Sequence, residues 1–194
     1  MCGRFVLSNF TDVKDVHNVL IEPSYNIAPS HCTLIFNQEM RPDFLEWGFS
    51  PVWAKKPMNL INAKYESLDI KPSFKDYETC VFVADGWFEW QQNSSGEKHP
   101  IFIHADNEIF YFAGIKNASG AAIVTINAHP CLANIHHRQP MFLDRLETPF
   151  WLKNKQKVLS SSLLERIKSH QVSKYVNSPR NNDQRCILKT ELKL

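Results

Sequence analysis

No apolar run in this chain approaches the roughly 20 residues of a membrane-spanning helix, so no membrane partner is expected. The opening stretch MCGRFVLSNF lacks the basic, apolar and small-residue sections of a secretory signal, and a cytoplasmic protein is expected. None of the five cysteines, Cys2, Cys32, Cys80, Cys131 and Cys186, sits in a C-x-x-C pair. Neither a zinc site nor a disulfide framework is indicated, and free thiols are expected. There is no internal repeat, low-complexity tract or Pro/Gly linker, so residues 1–194 are expected to form a single domain. Nothing in the chain suggests a metal or an organic cofactor, and the lack of an apolar stripe or heptad makes a monomer the expectation.

What is present is an ordinary globular composition, 43% hydrophobic and 22% charged over 194 residues. The net charge of +2 is unevenly spread. Residues 150–194 carry ten Lys/Arg against three Asp/Glu, and residues 1–149 carry twelve against seventeen. The stretch from Trp53 to Phe74 is locally basic, with Lys55, Lys56, Lys64 and Lys71 against Glu66 and Asp69. Such asymmetry suits an anionic partner, although solvated surface charge would look the same.

A first helix is expected over Thr11–Leu20, with Thr11 as N-cap and Val13, Val16, Val19 and Leu20 on one face. Prolines at 23, 29, 42, 51 and 57 then favour extended and turn geometry. Residues 80–83, 99–104, 109–115 and 121–127 read as short strands, separated by turn signals at 93–96, 106–107 and 117–120. Helical segments are expected around 150–152, 161–168 and 171–176. The pattern predicts an α+β fold with a β-barrel-like, mostly antiparallel core flanked by helices.

Four segments carry chemistry. Removal of Met1 would give Cys2 a free α-amine beside its thiol, with reference pKa values near 8 and about 8.5. Such an amine can condense with an aldehyde to a Schiff base, and the thiol can then close a five-membered thiazolidine. Gly86-Trp87-Phe88-Glu89-Trp90 follows a strand, so Glu89 is expected at a strand end among aromatics that could raise its pKa, or in an aromatic turn facing solvent. His136-His137-Arg138 can pair acid–base work with phosphate binding. Asn62-Ala63-Lys64 offers an amide to orient an amine or carbonyl and a cation for phosphate, and Trp47 and Trp53 offer rings for bases to stack on or side chains for the core.

The ordered set Met1-Cys2-Gly3-Arg4-Phe5, Tyr25-Asn26-Ile27-Ala28-Pro29, Trp47-Gly48 with Pro51 and Trp53, Asn62-Ala63 with Glu66, Gly86 to Trp90, and His136-x-Arg138-x-Pro140 resembles the SOS-response-associated peptidase family. Members of that family are also described as abasic-site-processing proteins. The resemblance spans residues 2 to about 143 and departs from the family pattern at Lys64, Ser67, Trp87, Phe88 and Gln139.

The resemblance implies that Cys2 crosslinks to abasic sites in single-stranded DNA, in the DNA damage response. Asn62 would hold the α-amine or opened sugar, Glu89 would sit beside the amine, and His136 would open the deoxyribose ring. Arg4, Trp53, Lys64, Trp90 and Arg138 would lie along the DNA. A protein bound to chromosomal DNA would be nucleoid-associated. The same residues leave three alternatives open: a cysteine peptidase acting chiefly on itself, a lyase that cuts the strand through a Schiff base, and a non-covalent single-strand binder.

Overall fold

The computed structural model describes residues 2–106 and 108–190. Short β-branched and aromatic segments between turns make most of the chain strand. The N-terminal part contributes β1 (Arg4–Leu7), β2 (Ser24–Ile27), β3 (Cys32–Phe36), β4 (Pro42–Glu46) and β5 (Asn62–Lys64). The middle contributes β6 (Glu78–Ala84), β7 (Gly86–Gln92), β8 (Lys98–His104), β9 (Phe110–Asn117) and β10 (Gly120–Asn127). Then come β11 (Arg138–Pro140), β12 (Phe142–Leu143) and β13 (Lys168–Gln171). Helices α1 (Phe10–His17), α2 (Thr148–Asn154) and α3 (Ser161–Arg166) lie at the two ends of the sequence.

The strands form two mostly antiparallel sheets. One has the order β13-β8-β7-β1-β2; the other runs β11-β10-β9-β6-β3-β4, with β12 beside β9 and β5 beside β10. The α+β architecture is the expected one, built as two sheets around a shared core and not as one closed barrel. Phe5 of the first sheet stands edge-on to Phe82 and Phe112 of the second, at centroid distances of 6.2 and 6.0 Å. Trp87 does the same to Phe112 at 5.8 Å. Edge-to-face packing of this kind suits the ring quadrupoles and adds to the area buried.

The two-residue period of a strand explains what each sheet face does. Phe5 and Leu7 of β1 enter the main core, whereas Val6 joins Phe88, Phe102, Val172, Val176 and Cys186 in a second cluster. The C-terminal segment thus covers the outer face of the five-stranded sheet. Asn26 ties that segment down. Its Nδ2 lies within hydrogen-bond distance of the carbonyls of Val176 (3.1 Å), Ser178 (3.0 Å) and Asn181 (2.8 Å).

Several expectations are corrected. Helix α1 is capped by Asn9, whose side chain accepts from Asp12 N at 3.1 Å, and not by Thr11. It ends at His17 because Asn18 turns left-handed (φ 55°), so Val19 and Leu20 fall outside it. Asp85 fixes the entry by accepting from the backbone N–H groups of Ser8 and Asn9, both at 2.6 Å. The segment 171–176 is not an α-helix. Gln171 closes β13 opposite Ile101, and Lys174–Asn177 is a 3-10 turn. Lys168 belongs to β13 as well, because the edge of β8 offers it a strand partner where α3 offers only another turn. The turn expected at 106–107 falls partly on Asn107, outside the described residues.

Candidate active site

The N-terminal segment enters beside β7 and β5. Gly86, Trp87 and Phe88 of β7 pair with Val6, Phe5 and Arg4 of β1. On the other flank of β7, Glu89 sits opposite Ile101 of β8. Glu89 therefore lies inside a strand paired on both sides, neither at a strand end nor in an aromatic turn. Burial pushes its carboxyl up to about 7, against an ordinary value of 4.5.

Cys2 is fully buried, with its Sγ 3.7 Å from the carbonyl oxygen of Arg4. Burial, and secondarily the charge of Glu89, raise its thiol well above the usual range. Asn62 comes to it on β5, whose three residues are held in parallel register with β10, Asn62 opposite Ile123 and Lys64 opposite Thr125. The Asn62 Nδ2 donates to the Cys2 carbonyl at 2.7 Å. The Asn62 Oδ1 is buried and has no hydrogen-bond partner among the described residues. At the start of β10 the backbones approach closely: a Cβ on Gly120 would run into the carbonyl oxygens of Gly48 and Glu46.

His136 is the next-to-last residue of the loop between β10 and β11. Its Nδ1 accepts from Arg138 N at 3.0 Å and lies 3.1 Å from Arg138 O, so the main chain of one residue can serve this nitrogen with or without a proton. Burial lowers the imidazole pKa. His136 and Glu89 line one open cleft of about 260 Å³ together with Trp90 and Lys98. A larger cavity of about 640 Å³ lies elsewhere, under Gly48, Ser50 and Asn59, and contains none of these groups.

The residues expected along DNA divide into two sets. Trp53 is 59% exposed, with its indole N–H donating to Pro72 O at 3.3 Å, and Lys64 is exposed at the end of β5. Trp90 is half-buried in the cleft wall and donates to Asn177 Oδ1 at 2.9 Å. The two arginines are differently placed. Arg4 donates to Asn26 Oδ1 (2.8 Å), Val176 O (2.9 Å) and Asn177 O (3.2 Å), which fastens the C-terminal segment. Arg138 is only 4% exposed, and its terminal nitrogens are spent inside the protein. They reach both Glu66 oxygens (2.6 and 3.1 Å), Asn127 Oδ1 (2.7 Å) and Thr125 O (2.6 Å). Burial tends to raise the Glu66 pKa, but the Arg138 bonds outweigh it and hold Glu66 below the carboxylate range.

Arg138 thereby braces two parts of the centre. Its backbone anchors His136, and its side chain grips Glu66, four residues beyond Asn62. Sequence reasoning missed this inward role, the stapling role of Asn26 and the place of Lys98 in the cleft. The bidentate partner of Arg138 lies 72 residues away, so no local signal announced it. Among the described residues no group of three or more His, Cys, Asp or Glu could hold a metal ion, and no helix is long and apolar enough to cross a membrane.

The family model described as SOS response associated peptidase (SRAP) matches residues 1–179. Abasic site processing protein YoqW of Bacillus subtilis is 32% identical, over 96% of this chain and 99% of its own length. Abasic site processing protein YedK of Escherichia coli is 31% identical, over 79% of this chain and 80% of its own. The chicken (Gallus gallus) abasic site processing protein HMCES is 28% identical and is covered over 67% of its length. A solved protein of Bacteroides thetaiotaomicron shares the fold at a TM-score of 0.70 and 20% identity, covering 95% of this chain and 92% of that one.

Proposed function

Because the chain belongs to the SOS response associated peptidase family, we propose that it processes abasic sites in single-stranded DNA by closing Cys2 onto the open-chain aldehyde. The names of its relatives support an abasic site as the substrate, and the geometry is compatible with the following route. The observation that carries the reading is the buried junction of Cys2 with Asn62, beside a carboxyl whose pKa is pushed up to about 7.

The route starts with loss of Met1, a residue outside the described part of the structure, which frees the Cys2 amine. His136 exchanges protons with the closed sugar and opens the hemiacetal to the aldehyde. Glu89, near half-ionised at neutral pH, takes the ammonium proton so that the amine can attack. A C–N bond forms, water leaves, and an imine results. The Cys2 sulfur then adds to the imine carbon as the thiol proton passes to nitrogen, closing a thiazolidine. Asn62 holds the Cys2 carbonyl, which fixes the direction in which amine and thiol face the aldehyde.

The thiol's burial orders these steps. A thiolate is the nucleophilic form, and a desolvated thiol beside a carboxylate stays protonated. The amine therefore acts first. The same fact weighs against a general cysteine peptidase, which needs its thiolate at the outset.

The test is intact-mass analysis of the purified protein before and after incubation with a single-stranded oligonucleotide carrying one abasic site, alongside Cys2→Ala. A protein lacking Met1 that gains the oligonucleotide mass in a heat-stable adduct, absent from Cys2→Ala, is the expected result. Loss of Met1 with no adduct would overturn the crosslinking reading. Strand cleavage without retained mass would convert it to a lyase.

A further inference from the structure

If the centre works on a DNA lesion, something in the cleft must meet the phosphodiester that flanks the abasic sugar. The terminal nitrogens of the arginines nearest the centre already bond Asn26, Glu66, Asn127 and main-chain carbonyls, which leaves an uncommitted cation as the better candidate. Lys98 opens β8 and lines the cleft with Glu89, Trp90 and His136. It is exposed, and it forms no ion pair among the described residues, in contrast to Lys116, Lys168 and Lys174. Its neighbour Glu97 is already committed, to Lys174 and, at 3.5 Å, to His99. The register of β7 and β8 sets Lys98 opposite Gln92 and Pro100 opposite Trp90. Directly opposed residues share a face, so the Lys98 ammonium and the Trp90 ring stand two positions apart on one side of the hairpin.

We infer that Lys98 is the phosphate contact at the lesion, binding the phosphodiester next to the abasic sugar. The inference rests on the proposed function for the identity of its ligand. The contact is an ammonium on a non-bridging phosphate oxygen, with no base read, which suits a lesion that has lost its base.

The test measures equilibrium binding to a single-stranded oligonucleotide with a tetrahydrofuran abasic analogue, which cannot open to an aldehyde and so cannot crosslink. Wild type, Lys98→Gln and a distal control on α1, Lys14→Gln, are titrated between 50 and 200 mM salt. Each phosphate contact to a single strand contributes about 0.7 to the slope of log K against log salt. Lys98→Gln is expected to flatten the slope by about 0.7, so that its deficit against wild type shrinks about threefold across that range. Lys14→Gln is expected to keep the wild-type slope. A wild-type slope and affinity for Lys98→Gln, or an equal loss in both variants, overturns the assignment. Because the analogue needs no covalent step, failure of wild-type crosslinking would sink the proposed chemistry while leaving this result to stand or fall by itself.

Discussion

Replacing Glu89 by Gln separates what the centre costs from what it does. The carboxyl titrates near 7 in the folded chain because it is buried, against an ordinary value of 4.5. Below about 4.5 both folded and unfolded chains carry the proton, and the group has no effect on stability. Between 4.5 and 7 the unfolded chain ionises first, so folding takes up a proton and stability falls as pH rises. Above 7 both states are ionised, and the full cost of holding a buried carboxylate applies. At 1.36 kcal/mol per pKa unit that cost is about 3 kcal/mol. A Gln amide at the same site forfeits about 1 kcal/mol of hydrogen bonding, which leaves a net gain of about 2 kcal/mol at pH 8. For a chain of this size the gain corresponds to a Tm about 4–8 °C higher. Thermal unfolding of wild type and Glu89→Gln at pH 8 and at pH 4.5 reads it directly. The variant should lead at pH 8 and lose its lead at pH 4.5, while forming adduct at least tenfold more slowly at neutral pH. The rise of the wild-type adduct rate through pH 7 should be absent from the variant. A variant that melts lower than wild type at pH 8 would refute the burial argument, and one that crosslinks at the wild-type rate would remove Glu89 from the chemistry.

The sequence was legible where structure is local. Strands β6 and β8 to β10 were anticipated within a few residues, since each is a dense β-branched and aromatic run between turn signals. Strand β7 was obscured because both of its faces are covered, so aromatics appear at consecutive positions and the two-residue alternation vanishes. Strand β5 is three residues, Asn-Ala-Lys, with no apolar pattern; it is extended because β10 offers it a parallel partner 61 residues away in register. Tertiary pairing of this sort leaves no trace in a window of local sequence.

The candidate site was legible by residue type and order, less so by the direction side chains face. Asn62 does reach Cys2, and Glu89 and His136 do share a cleft. The resemblance set Arg4 and Arg138 along the DNA, and a guanidinium does suit phosphate. The same fork suits main-chain carbonyls and carboxylates, and the acceptors that claim it here lie up to 173 residues away in sequence. Lys98 was passed over for the opposite reason: a lysine between Glu97 and His99 reads as surface charge until the cleft is seen. An ammonium on a flexible stem can be left uncommitted more cheaply than a buried guanidinium, which must be satisfied at once.

Asn62→Ala should slow adduct formation strongly while lowering stability by only about 1 kcal/mol, the worth of its bond to the Cys2 carbonyl, and a urea titration beside a crosslinking time course would expose any equal fall in both. Asp85→Ala removes an acceptor shared by Ser8 N, Ser8 Oγ and Asn9 N, and should cost about 2 kcal/mol in urea unfolding through loss of order at the start of α1. Arg138→Lys is the sharpest test of the brace. A lysine keeps the charge but cannot span Glu66, Asn127 and Thr125 together, so the buried site is left part-satisfied, and about 3 kcal/mol of stability should be lost. If Arg138 instead served DNA phosphate, the lysine variant would fold as wild type and bind a single strand with nearly the same salt slope. An unchanged urea midpoint for Arg138→Lys would therefore return Arg138 to the DNA and undo its inward role.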